Sequence, residues 1–135
     1  MTTSTPTPTA RSAEAFRELA DVAQRYFDLV YTCNLTLYDQ LFHPLAQLFV
    51  LKNGTAVSLT SAEYREILAH RQSPESTGAP RREQVHSIDL GAATQALIKL
   101  QVLIGQAEFI DYLTLLRGDD GWRIVSKTYH HLSAD

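Results

Sequence analysis

Cysteine is nearly missing: Cys33 is the only one in 135 residues. The chain can therefore close no disulfide within itself and build no cysteine cage for a metal. A lone cysteine in an apolar stretch reads as a small core residue. Positive charge is not in excess either, with 12 Lys and Arg against 15 Asp and Glu, which argues against the basic footprint of a nucleic-acid binder. No apolar run is long enough to span a bilayer. The first residues, MTTSTPTPTARSAEAF, lack the apolar core of a secretory signal, so a cytoplasmic protein is the expectation. Also missing are a Ser/His/Asp signature, a phosphate-cradling glycine loop and a dinucleotide fingerprint. Neither a metal nor a cofactor is expected.

What remains is a composition of 44% hydrophobic and 20% charged residues, ordinary for one globular domain that buries its own core. Thr- and Pro-rich residues 1–11 read as a disordered tail and residues 12–135 as a single domain. Ser12 is the expected N-cap of a first helix reaching to about Cys33. Phe16, Leu19, Ala23, Tyr26, Phe27 and Val30 recur at its helical period, opposite Arg17, Asp21, Gln24 and Asp28. Thr36 and Asp39 have the spacing of a capping box for a short helix through Phe42, stopped by Pro44. Asn53-Gly54 between AQLFVLK and TAVSL predicts a hairpin with a type I′ turn. Thr60 and Glu63 predict a capped helix to about Arg71, with Ala62, Tyr64, Ile67 and Leu68 as its apolar stripe. The Pro/Gly/Ser segment at 72–84 is long for a connector and reads as a lid or flap. From Val85 onward the pattern is all strand, with two-residue turns at Gly105-Gln106 and Asp119-Asp120. Helices first and strands after predict an α+β fold.

Tight turns fix a register if no bulge intervenes. Asp111 then faces Leu100 on one side and Thr128 on the other, among Phe109, Leu113, Leu115, Trp122 and Ile124. That inner face carries no Lys or Arg, so Asp111 is expected as a buried acid able to donate to a ligand oxygen. Lys99, Gln101, Glu108, Tyr112, Arg123, Lys127 and His131 fall on the other face with Leu97, Ile110, Val125 and Tyr129. So mixed a face reads as a homodimer interface.

The segments QRYFDLV, LFHPLAQLFV and FIDYLTLLRGDDGWRIVSK, in this order of elements, resemble the nuclear-transport-factor-2-like superfamily. The resemblance runs from Ala13 to Leu132. FHP, DYL and GWRIVSK are most similar to its lumazine-binding and polyketide-cyclase-like branch. The resemblance implies a cone: a curved antiparallel sheet wrapped around N-terminal helices, an interior pocket and, commonly, a homodimer. Relatives of this kind include steroid isomerases, dehydratases, cyclases and binding proteins without chemistry, so fold alone names no activity. The steroid isomerases use a first-helix tyrosine and a late-strand acid as an oxyanion hole, with a separate carboxylate base. By resemblance Tyr26 and Asp111 match the two donors. The base position falls on Val50, which cannot take a proton.

The candidate reacting groups are therefore Asp111 and Tyr26, with His43 as a possible base. Trp122, Phe109, Leu113, Leu100, Phe27 and Tyr64 are the candidate pocket lining. His70 and Arg71 close a helix, where positive charge suits the dipole on a solvated face, within reach of the pocket mouth. His130 and His131 point to opposite faces and cannot chelate together. The expected partners are a small apolar or heteroaromatic ligand and a second copy of the chain. The function expected is a pocket protein that binds a small molecule. The alternative is a lyase, isomerase or cyclase-type enzyme acting on a cyclic or carbonyl-containing substrate.

Overall fold

The apolar repeat of the first helix winds Pro8–Thr32 into α1 in the computed structural model, which describes residues 8–132. Leu19, Ala23, Tyr26, Phe27 and Val30 are all buried along one face. The helix opens at Pro8, a residue suited to a first turn because it has no N–H to leave unpaired. Ser12 therefore lies inside the helix and does not cap it. Of the expected tail, residues 1–7 lie outside the described residues. The helix stops where Cys33 turns to a left-handed φ of 56°. The cap of α2 (Leu35–Leu41) is Asn34, whose side chain accepts from the Leu37 N–H. Asn34 outcompetes the Thr36–Asp39 pattern, and Asp39 is free to form a two-pronged pair with Arg65 at 2.8 and 2.9 Å.

β1 (Phe42–Lys52) and β2 (Thr55–Thr60) form the expected hairpin. Asn53 and Gly54 at its tip both have positive φ, 50° and 79°, as a type I′ turn requires. Thr60 and Glu63 then cap α3 (Ser61–His70) reciprocally. The segment after α3 is pinned to α1 and does not stand free as a flap. Tyr31 donates to the Ala79 carbonyl at 2.9 Å, and Arg81 pairs with Asp28 at 2.9 Å while lying over the Tyr31 ring. Four long strands follow: β3 (Glu83–Ala92), β4 (Gln95–Ile104), β5 (Ala107–Gly118) and β6 (Gly121–Leu132).

One six-stranded sheet in the order β2-β1-β6-β5-β4-β3 curves around the helices without closing. It is mixed, not wholly antiparallel as expected, because β1 runs parallel to β6. A parallel pair needs a long crossover, and everything from β2 to β5 supplies it. The α+β class and the enclosing curvature are as the sequence implied.

The inner face departs from the expected register at one place. Leu115 pairs with Ile124 but Thr114 pairs with Ser126, which leaves Val125 as an extra residue in β6. The ladder to β1 is irregular at the same level, between Phe42 and Gln47, where Pro44 has no N–H to give. A bulge bends its strand and exchanges the faces beyond it. Asp111 still faces Leu100 but is opposite Tyr129, not Thr128. Lys127, Tyr129 and His131 thereby move to the inner face, and Ser126 leaves it.

Because α3 carries side chains into the interior, its capping box is a stability determinant. Thr60→Ala should cost about 1 kcal/mol, read as a lower urea midpoint at unchanged slope.

Candidate functional site

The shifted half of β6 meets the C-terminal end of α3 and the β4–β5 turn around a cavity of about 300 Å³. Leu59 of β2, Tyr64 and Ile67 of α3 and the following Arg71 form one side. Ile104, Ala107, Phe109, Asp111, Lys127 and Tyr129 of the sheet form the other. Two wider surface grooves, about 540 and 670 Å³, contain no buried polar side-chain atom lacking a partner among the described residues.

Among the cavity residues, Asp111 is 1% exposed. The Tyr26 hydroxyl donates to its Oδ2 at 2.5 Å. The Lys127 ammonium, itself buried, lies 3.8 Å from the same oxygen and donates to the Tyr64 hydroxyl at 3.1 Å. Three aromatic faces surround that ammonium, with the centroids of Tyr26, Tyr64 and Tyr129 at 5.3, 4.7 and 5.2 Å. Ring quadrupoles and a carboxylate together replace the hydration that burial removes. Asp111 Oδ1 is buried without a hydrogen-bond partner among the described residues, and so is Arg71 Nη1.

Burial by itself disfavours the Lys127 ammonium. The Tyr64 oxygen and the Asp111 carboxylate favour it by more, and hold its pKa above the ordinary lysine value. Burial pushes Tyr26 well up, and the adjacent Asp111 charge adds to the effect. Tyr129 is also raised by burial, against the opposing pull of Lys127. Tyr26 thus remains a neutral phenol and Lys127 a cation.

Tyr26 and Asp111 come together as expected, but not as two free donors. The phenol donates to Asp111 Oδ2, and that oxygen accepts. The expectation of a cation-free inner face fails because Val125 moves Lys127 inward. Of the expected lining, Tyr64 and Phe109 border the cavity. Leu100, Leu113, Phe27 and Trp122 are buried core side chains outside its walls. His43 does not join them. It borders a separate groove with Leu45 and Leu116, and its Nδ1 accepts from the Leu45 N–H at 3.0 Å. Val50 continues the inward alternation of Ala46 and Leu48, and Asp111 is the one acid among the lining residues. His70 is exposed beside Glu66, whereas Arg71 does reach the cavity.

Lys127 and Tyr129 are the groups the sequence reading missed. Their one trace in the sequence is the adjacent apolar pair Ile124-Val125, where two-residue alternation breaks. Among the described residues no three His, Cys, Asp or Glu side chains gather as metal ligands would, and no helix is long and apolar enough to cross a membrane.

Two outcomes follow from this geometry. Lys127→Met leaves Asp111 buried with only Tyr26 and should cost about 3–5 kcal/mol in urea unfolding. Adding Asp111→Asn should recover most of that loss, since the neutral amide still accepts from Tyr26. On the alkaline side, Tyr26 and Lys127 both have folded pKa values above their unfolded ones. The native state therefore holds more protons there. Their contribution is complete below the unfolded values of about 10 and is lost as pH rises through the folded ones. A melting-temperature series should fall above that pH, less steeply for Tyr26→Phe.

The family model described as "Putative lumazine-binding" matches residues 14–130. The fold is similar to an NTF2-like protein of unknown function from Shewanella baltica, with a TM-score of 0.80 and 18% identity over 96% of this chain and 100% of that one. An NTF2-like protein of unknown function from Silicibacter pomeroyi has a TM-score of 0.75 and 17% identity over 90% and 98%. A ketosteroid isomerase-like protein from Erwinia carotovora atroseptica has a TM-score of 0.68 and 10% identity over 89% and 98%. At such identities the likeness extends to the fold alone. The sequence matches none of the curated proteins compared with it.

Proposed function

The chain belongs to the family described as "Putative lumazine-binding", and on the cavity its own residues build we propose that it binds a small, flat, largely apolar molecule there. The observation that carries this reading is Asp111, a residue of the cavity wall whose Oδ1 is buried with no partner among the described residues. An unpaired carboxylate oxygen is costly inside a protein. A ligand N–H or O–H would satisfy it. The rest of the wall suits a ring, with Tyr64, Phe109 and Tyr129 beside Ile67, Leu59 and Ile104, and the volume lies at the low end for small-molecule sites.

A lyase, isomerase or cyclase-type step on a cyclic carbonyl compound is the second reading. It is favoured by the same free oxygen beside a fixed cation: Asp111 Oδ1 would take the proton and Lys127 would stabilise the charge that develops.

A thermal-shift screen of heteroaromatic and cyclic-ketone compounds tests the binding reading, because a ligand held only by the folded state raises the melting temperature. Members of the panel should stabilise the wild type by several degrees and the double variant Asp111→Leu, Lys127→Met, which leaves no unpaired buried charge, hardly at all. If no compound shifts the wild type, the reading is wrong. Incubating a stabilising ketone with the protein in deuterium oxide separates the two readings, since protein-dependent exchange of its C–H protons would mean chemistry and not binding alone.

We also propose a homodimer through the outer sheet face. Tyr112 and Leu116 remain 42% and 48% exposed there, beside the half-buried Leu97, Ile110 and Val125. Sedimentation at micromolar concentration should give twice the monomer mass, and a stable monomer would rule the dimer out.

A further inference from the structure

We infer that the ligand of this cavity is an organic monoanion: a planar ring acid whose carboxylate or acidic enolate meets Arg71 while a ring N–H or O–H reaches Asp111. This rests on the small-molecule reading above and adds the charge of the ligand.

The cavity wall holds two cations and one anion, Arg71 and Lys127 against Asp111. Asp111 and Lys127 are paired at 3.8 Å, and Tyr26 completes the pair from behind. Arg71 has no such arrangement: among the described residues no carboxylate lies within ion-pair distance of it, and its Nη1 is buried without an acceptor. A guanidinium cannot shed its proton to escape that cost. With Lys127 set against Asp111, Arg71 leaves the cavity wall with one cation more than it has anions. The influence of Arg71 reaches Lys127, Tyr26 and Tyr129, as expected of a charge sharing their low-dielectric space.

A neutral ketone would satisfy a donor but leave the excess charge in place. A carboxylate or enolate oxygen neutralises it and takes the guanidinium N–H in a charge-assisted hydrogen bond. The two polar ends of the cavity are also of different kinds. Arg71, only partly buried, carries donors, and the buried Asp111 carries an acceptor. A ligand carrying an anionic group at one edge and a ring N–H or O–H at the other matches both ends, with the aromatic wall between them.

Calorimetric titration of three matched pairs tests this: indole-2-carboxylate, quinoline-4-carboxylate and salicylate, each against its own carboxamide. On the wild type near neutral pH the acids should bind about tenfold or more tighter than the amides, and their affinity should fall with added salt. Arg71→Gln should erase that preference by weakening the acids alone. Arg71 makes no ion pair among the described residues, so this variant should fold as the wild type does, which a melting curve checks. Amides binding as tightly as acids, or acids indifferent to Arg71→Gln, would overturn the inference and leave the small-molecule reading standing. Failure of every acid and every amide to bind, together with a blank thermal-shift panel, would sink both.

Discussion

A lysine and an aspartate share the interior of this fold, and much of its inner architecture serves to make that tolerable. Two isolated buried charges would each cost several kcal/mol. Here the Asp111 carboxylate has a phenol at 2.5 Å and an ammonium at 3.8 Å, and the ammonium has a second phenol and three ring faces. The groups come from four separate elements: Tyr26 from α1, Tyr64 from α3, Asp111 from β5 and Lys127 with Tyr129 from β6. The pair therefore ties helices to sheet at one level of the core. It also leaves one carboxylate oxygen of a cavity-wall residue without a partner among the described residues, which is where structure passes into function.

That arrangement depends on a single extra residue. Without the irregularity at Val125, strict alternation would point Lys127 outward and put Thr128 beside Asp111. With it, β6 bends and Lys127, Tyr129 and His131 turn inward. The inner ladder between β4 and β5 has no comparable shift, so Asp111 keeps the place its sequence position implies.

The division between what could and could not be read follows the range of the interactions. Local chemistry was legible: the Thr60–Glu63 box, the Asn53-Gly54 turn and the periodicity of α1 are each set by neighbours within a few residues. The Asp111–Tyr26 association also emerged, from an apolar inner face and from resemblance. Three features were not legible: one is a contest between neighbouring caps, and distant partners decide the other two. Asn34 took the cap from Thr36 two residues on. β1 pairs with β6 across more than seventy intervening residues. The bulge, finally, is a property of β6 between two neighbours, visible in sequence only as Ile124 beside Val125. That last gap reversed the chemistry expected of Asp111, from donor to acceptor.

The central claim is that Lys127 is a buried ammonium held charged by Asp111 and its ring of tyrosines. Nuclear magnetic resonance of lysine labelled at Cε and Nζ reads the charge of that one amine through a pH titration. The account predicts an ammonium signal unchanged through neutrality, titrating above the reference lysine value of about 10.4. Loss of the Lys127 proton near or below neutral pH, as for a buried lysine without a counter-charge, would contradict it.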